Sequence, residues 1–230
     1  MKKTILKLKK RDGFSLVEAT IALIVMGIVL GGVLKGRELI QQARMNVVMR
    51  NVDMYRMAFH LFQETYGALP GDFHLASEQI APHLRNGNND GMISGQSLNP
   101  QGEAAQAWSH LAAAGLIADV GTLPQFGPAR RGQGVPLEKI GGVMTVQYSP
   151  HPDMSGHWLV LAQEQGTEAT GGVMTPQQAQ AICQKMDSRN PLSGRVQARS
   201  GQQNHQSACI TNGHFNLKEK GPVCVLYFQL

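Results

Sequence analysis

One carboxylate lies inside the most apolar stretch of this sequence. Residues 14–34 read FSLVEATIALIVMGIVLGGVL, and Glu18 is the one charged residue among them. A helix of this length would span about 30 Å, which is enough to cross the hydrocarbon core of a bilayer. A carboxylate at bilayer depth costs about 2.5–3.5 kcal/mol on insertion scales and usually has a function. The segment therefore predicts a membrane anchor in which Glu18 has a role.

A second group of oxygen-bearing residues has the spacing of a calcium loop. Asn86, Asn88 and Asp90 alternate, a glycine follows, and Met92 would offer a backbone carbonyl. The loop lacks the bidentate glutamate of that motif, since Ser97 occupies its position. Because Asp90 alone supplies formal charge, calcium would bind weakly. The alternative, which the composition favours, is an Asn/Gly turn whose side chains cap the backbone.

Other candidate sites for chemistry are sparse in the sequence. The H-E-x-x-H, G-x-S-x-G and G-x-x-x-x-G-K-[ST] patterns are absent. The closest pair of histidines, His151 and His157, reads as solvated loop residues. We therefore predict no enzymatic activity and no cofactor apart from the calcium alternative.

The cysteines lack the spacing of a zinc or thioredoxin-like site, and a disulfide among them is expected if the compartment is oxidising. Cys183, Cys209 and Cys224 form no C-x-x-C pair. An odd number of cysteines outside the cytosol suggests one disulfide and one buried thiol.

The basic charge belongs to the N-terminal tail. The chain has 230 residues and a net charge of +5. Six basic residues and one acidic residue lie in residues 1–13, which leaves 15 of each sign in the remainder. A nucleic-acid-binding domain needs a basic face on its folded part, so no nucleic-acid partner is expected. A basic tail before an apolar span predicts a cytoplasmic N-terminus, with the bulk of the chain across the membrane.

Two simpler interpretations of the N-terminus are weaker. A secretory signal peptide has a shorter apolar region and a small-x-small cleavage site, and neither feature is present. A plain single-pass anchor explains the length of residues 14–34 but not Glu18.

After the apolar run, residues 38–66 have the periodicity of an amphipathic helix. We expect its core side to include Leu39, Ala43, Val47, Met54, Ala58, Leu61 and Phe62. The glycine and proline that follow Tyr66 should end this helix. We predict helices over 103–116 and from Pro176, with Thr175 as N-cap, and strands over 143–148, 157–162 and 223–229.

The order of the N-terminal pieces resembles the type IV prepilin signature. The motif KKRDGFSLVE places Gly13 and Phe14 between the basic leader and the apolar run, with Glu18 following. Asp12 stands before the glycine, at a position where that family varies. The resemblance implies that a prepilin peptidase cuts after Gly13 and methylates the new amine of Phe14.

The same resemblance implies a role for Glu18 and a set of partners. Glu18 would pair with the Phe14 amine of its own or a neighbouring subunit and set the register of assembly. The implied partners are the prepilin peptidase, an inner-membrane assembly platform and sister subunits. The implied location is the inner membrane as a single-pass precursor with a periplasmic head, and then a periplasmic or cell-surface filament.

The resemblance also implies an α+β pilin fold, in which a long N-terminal helix packs on a head with a small antiparallel sheet. Four ranges follow: a leader at 1–13, a filament-core helix at 14–37, an amphipathic half at 38–66 and a head at 67–230. Several head stretches are similar to a bacterial pilin-like subset, namely residues 66–72, 86–93, 108–117 and 185–196. In pilin-like heads a C-terminal loop is often closed by a disulfide, which favours Cys209–Cys224 here, with Cys183–Cys209 as the alternative.

The predicted function is a structural subunit of a type IV pilus-like or type II secretion-type filament. One alternative is a minor pilin whose head is an adhesin or ligand-binding module. The other is a periplasmic enzyme that uses the same anchor.

Overall fold

A single helix, α1, runs from Leu16 to Tyr66. The computed structural model describes residues 15–187, 189–202 and 208–230. The helix ends where the sequence predicts, because Gly67 adopts a left-handed φ of 72° that favours glycine. The chain divides into two compact units, one ending at Ala43 and a head unit that spans Arg44–Leu230.

In the head unit, α1 buries an aromatic-rich side. The Trp108 ring lies 5.1 Å from that of Tyr55 and 5.9 Å from that of Phe59, both edge to face. The buried residues of the helix are Met45, Val48, Val52, Tyr55, Ala58, Phe59 and Phe62.

The predicted core side of α1 is therefore partly wrong. Ala58 and Phe62 are buried, but Met54 is 45% exposed and Leu61 44% exposed. The spacing of apolar residues along α1 allowed either of two overlapping sides of the helix to be the buried one. The packing of the large aromatic rings on Trp108 selects between these two sides. Leu39 and Ala43, outside the head unit, are also exposed.

Two further helices follow α1 in the first half of the head unit. The short α2 spans Ala76–Gln79, and α3 spans Glu103–Ala113. The predicted helix over 103–116 is confirmed but ends earlier, where Gly115 adopts a φ of 72°. Helix α3 buries Trp108 and Leu111 on its inner side.

The main sheet is antiparallel and contains all three predicted strands. Its strands are β3 (Val143–Tyr148), β4 (His157–Gln165), β5 (Glu168–Gly171), β6 (Val196–Ser200) and β9 (Cys224–Gln229). Their order is β3-β4-β9-β6, with β5 paired to β4 beyond a register shift between Gln163 and Glu164. Strand β9 is buried from Cys224 to Phe228 and β4 from Trp158 to Ala162, so these two strands lie in the core of the head unit.

Short elements complete the head unit. Two-residue strands form the pairs β1 (Arg130–Arg131) with β2 (Gly134–Val135) and β7 (Ile210–Thr211) with β8 (His214–Phe215). Helix α4 spans Pro176–Met186 and packs near β6, β8 and β9. Its predicted N-cap is confirmed, since Thr175 and Gln178 form a reciprocal capping box.

Together, the long N-terminal helix and the head with its antiparallel sheet make an α+β fold of the pilin type.

Candidate functional site

The N-terminal part of α1 exposes a continuous apolar surface. Every residue from Ser15 to Leu34 is exposed in this chain. The exposed fraction is 84% for Leu16 and 69% for both Leu23 and Leu34. At 1.5 Å per residue, residues 16–34 span about 28 Å, which matches a bilayer core of about 30 Å. An exposed apolar surface of this size needs lipid or other protein around it.

Glu18 lies in the first turn of α1, where a negative charge is favoured by the helix dipole. Within residues 15–187, 189–202 and 208–230, its side chain makes no hydrogen bond or ion pair. Gly13 and Phe14, the predicted cleavage and methylation residues, lie outside the described residues, so their part of the site stays a prediction.

In the head unit, the predicted calcium loop is a network of turns. Asn88 Oδ1 accepts a 2.9 Å hydrogen bond from the backbone N–H of Asp90, and Asp90 Oδ1 accepts one of 2.8 Å from Met92. The amide of Asn88 also donates to Asp90 Oδ2 at 3.0 Å. Asn86 instead accepts from the backbone N–H of Ser77 near the start of α2. The two bonds that Asn88 and Asp90 accept from the backbone two residues further on are typical of Asx turns.

Two further carboxylates hold this loop from outside its sequence. The buried carboxylate of Asp72 accepts the backbone N–H groups of Asp90 and Gly91, each at 3.0 Å. Glu103, the first residue of α3, accepts from the backbone N–H groups of Asn88 at 3.1 Å and Ser94 at 3.0 Å. Oxygens of Asp72, Asp90 and Glu103 lie within 4.8 Å of one another.

Sequence reasoning missed Asp72 and Glu103 as loop partners. They lie 18 and 13 positions from Asp90, so no local spacing connects the three carboxylates. In the sequence, the glycine and proline in the segment between Tyr66 and Asp72 indicated where α1 ends. They did not indicate a contact with the predicted calcium loop. The loop approaches that segment so closely that a Cβ on Gly87 would lie 2.3 Å from the backbone of Gly71 and Asp72.

A buried histidine fixes the other side of the same segment. Nδ1 of His110 accepts a 3.0 Å hydrogen bond from the backbone N–H of Gly71, and Nε2 lies 2.8 Å from the carbonyl of Arg85. Because Nδ1 is an acceptor, Nε2 carries the proton and donates to Arg85. Burial lowers the pKa of His110, which keeps the ring neutral.

A comparison with protein families finds a match at the N-terminus. The profile described as the prokaryotic N-terminal methylation motif matches residues 8–34, which include Gly13, Phe14 and Glu18. This chain carries the type IV pilin signature. No curated protein and no solved structure matches the chain.

The pilin signature and the apolar helix together indicate a membrane-anchored, type IV pilin-like precursor. In the part of the chain that the structure describes, α1 is the helix long and apolar enough to cross a membrane. The signature suggests a structural subunit.

The pilin-like head contains a disulfide between Cys209 and Cys224, with Cα atoms 5.0 Å apart. This is the pairing that the resemblance favoured over Cys183–Cys209. Cys183 is a buried free thiol on α4, and burial together with nearby Asp187 raises its pKa to about 12. The neutral thiol therefore packs as a small apolar side chain.

Proposed function

We propose that this chain is the precursor of a filament subunit, cut between Gly13 and Phe14 and methylated on the new Phe14 amine. The filament would be of the type IV pilus or type II secretion kind. One observation carries the proposal: the methylation motif at residues 8–34 includes the exposed apolar part of α1, which begins at Leu16. Cleavage before that helix removes the leader but leaves the anchor in place.

The chemistry of the cut gives Glu18 its role. Hydrolysis of the Gly13–Phe14 peptide bond leaves an ammonium group on Phe14 at the start of an apolar helix. A buried charge without a partner costs several kcal/mol, and an opposite charge offsets much of this cost. Glu18 follows Phe14 by four residues, which is about one helical turn. We propose that the Glu18 carboxylate of one subunit pairs with the Phe14 amine of a neighbour and sets the axial register.

Burial of residues 16–34 would supply most of the free energy of association. These side chains are exposed in the isolated chain. In a filament they would lie against the same segment of sister subunits, which removes apolar surface from water or lipid. The head unit would remain on the outside.

The proposed location changes during assembly. The basic tail at residues 1–13 would hold the precursor in the inner membrane with its N-terminus in the cytoplasm. The head would lie in the periplasm, in agreement with its Cys209–Cys224 disulfide. The prepilin peptidase and an inner-membrane assembly platform would then act on the precursor before it enters a periplasmic or surface filament.

We also propose that the head loop binds a calcium ion through Asp72, Asp90 and Glu103, rather than through Asn86. Their carboxylate oxygens come within 4.8 Å of one another. Within the described residues, no lysine or arginine side chain bonds to any of the three. Carboxylate oxygens are ligands that suit calcium, and a bound cation would add to the N–H groups that these oxygens already accept.

Intact mass measurement and N-terminal sequencing of the membrane-extracted protein test the main proposal. The protein is produced with an active prepilin peptidase and, as control, with an inactive one. We expect a chain that begins at Phe14 with one added methyl group only with the active enzyme. A chain that still begins at Met1 would overturn the proposal, and a cut beyond Leu34 would show a secreted protein.

A further inference from the structure

The head unit contains a cleft of about 390 Å³ that the filament role does not use. Small-ligand sites have volumes of about 300–1,000 Å³, so this cleft is large enough for one. Its floor is the outer face of α3, and its walls are the loops around Arg85 and around residues 119–125.

The floor offers hydrogen-bonding groups in fixed positions. Gln106 and Ser109 lie three positions apart on α3 and so share one face of the helix. The Gln106 side chain is 6% exposed, and its Nε2 donates a 2.8 Å hydrogen bond to the carbonyl of Pro100. Among the described residues, Gln106 Oε1 accepts no hydrogen bond, and the Ser109 hydroxyl neither donates nor accepts one. Both groups line the cleft.

Hydrogen bonds within the head also hold the two walls. On one side, Arg85 Nη1 donates to Gln101 Oε1, while the Arg85 carbonyl accepts from His110. On the other side, Asp119 Oδ1 accepts a 2.8 Å hydrogen bond from the backbone N–H of Gly121. The backbone carbonyl of Val120, the residue after Asp119, accepts a 2.8 Å hydrogen bond from the backbone N–H of Gly134. The cleft is thus formed before any ligand arrives, which lowers the entropic cost of binding.

The charge of the lining gives no net attraction for anionic ligands. Arg85 and Asp119 are the formally charged side chains of the lining within the described residues, and their charges cancel. A phosphate or nucleotide would meet one guanidinium group, already bonded to Gln101, and the opposing carboxylate of Asp119. A peptide that binds by adding a strand to a sheet would need a strand edge, and the floor here is a helix. The remaining lining combines amides and hydroxyls with apolar contacts from Leu84 and Leu123.

We propose that this cleft binds a neutral mono- or disaccharide. Adjacent sugar hydroxyls both donate and accept hydrogen bonds, so they can pair with Gln106 Oε1, with the Ser109 hydroxyl and with Asp119 Oδ2, which accepts no hydrogen bond among the described residues. An apolar face of the ring would lie on Leu123, which is half-buried and lines the cleft. Binding of sugar goes beyond the proposed filament role and does not depend on it, because the whole cleft lies in the head unit.

Saturation-transfer NMR on the full chain tests the proposal. The protein is kept in dodecylphosphocholine, a detergent without a sugar group, and mixed in turn with glucose, galactose, mannose, N-acetylglucosamine, lactose and maltose. Glucuronate is the anionic comparison. We expect transfer to at least one neutral sugar, and weaker transfer to glucuronate.

Matched variants locate the binding. Ala113→Trp places a large ring in the cleft from an exposed position, and we expect binding roughly tenfold weaker or lost. Ala118→Trp, at an exposed position outside the lining, should bind as the unmodified chain does. Asp119→Asn keeps the oxygen that holds Gly121 and should weaken binding by a smaller factor.

Three results would overturn the proposal: no transfer to any neutral sugar, equal transfer with Ala113→Trp, or stronger binding of glucuronate. Each is independent of cleavage at Gly13 and of filament formation, so failure here leaves the subunit proposal intact.

Discussion

Asn51 on α1 donates a 2.9 Å hydrogen bond to the carboxylate of Glu138, which lies between β2 and β3 and is 1% exposed. The Tyr55 hydroxyl, one turn further along α1, donates to the same carboxylate at 3.4 Å. This buried group ties α1 to the chain segment that leads into the main sheet. Both donors are neutral, so the carboxylate is held without a paired cation in these contacts.

Glu138 should make the head less stable as the pH rises. Burial raises its pKa from 4.5 to about 7, although the hydrogen bonds from Asn51 and Tyr55 oppose this shift. Between these values the folded chain holds a proton that the unfolded chain has lost, so stability falls as pH rises from 5 to 8. The shift corresponds to an upper limit of about 3 kcal/mol. We expect Glu138→Gln to remove this pH dependence in thermal unfolding and to be the more stable protein at pH 8.

Glu78→Gln is the matched control, because Glu78 is exposed on α2. It should keep the pH dependence of the unmodified chain. If the melting temperatures of Glu138→Gln and of the unmodified chain change with pH in the same way from pH 5 to 8, Glu138 ionises normally in the fold.

Glu18→Gln should permit processing but reduce assembly. The variant retains Gly13 and Phe14, so cleavage and methylation should continue. Without the carboxylate, the Phe14 ammonium would be buried unpaired, and we expect filament yield to fall roughly tenfold or more. Filaments counted by electron microscopy, with N-terminal sequencing of the same cells, measure both effects.

Glu38→Gln provides the comparison on the same helix. Glu38 is exposed and pairs with Lys35 at 2.8 Å, and loss of such a surface pair costs little. Its filament yield should stay near that of the unmodified chain. Normal filaments from processed Glu18→Gln would refute the pairing role of Glu18.

Calcium should raise the melting temperature of the head if Asp72, Asp90 and Glu103 form its site. The purified full chain, treated with EDTA, is titrated with calcium to about 10 mM, because weak extracellular sites bind at about 0.1–1 mM. Asp90→Asn should reduce the response several-fold, since the amide oxygen can still accept from Met92 but the charge is gone. Asp119→Asn, outside the cluster, should respond normally. Equal melting temperatures in EDTA and calcium would exclude the site.

Gly87→Ala should destabilise the head by about 1–3 kcal/mol through overpacking. The new Cβ would lie 2.3 Å from backbone atoms of Gly71 and Asp72, which cannot yield as a flexible side chain can. Gly102→Ala is the matched control, because its nearest neighbour would lie 3.4 Å away. Chemical denaturation measures the difference between the two variants. A similar small cost in both would mean that the loop moves freely away from Asp72.

Some features of this protein were determined by neighbouring residues in the sequence. The anchor follows from an unbroken apolar run, and the prepilin motif places Gly13, Phe14 and Glu18 within six residues of one another. The central strands and the capped start of α4 were also predicted, because alternation and capping are local patterns.

Only the tertiary structure decided which distant groups meet. Asp72 and Glu103 join Asp90 because the chain reverses between α1 and α3. Which side of α1 is buried depends on the position of Trp108 in the fold. The periodicity of apolar residues along one helix carries no information about that position. Glu138 is an ordinary charged residue in the sequence, and its raised pKa arises from burial against α1. Burial and long-range contact are properties of the folded chain, so residue type and spacing alone do not determine them.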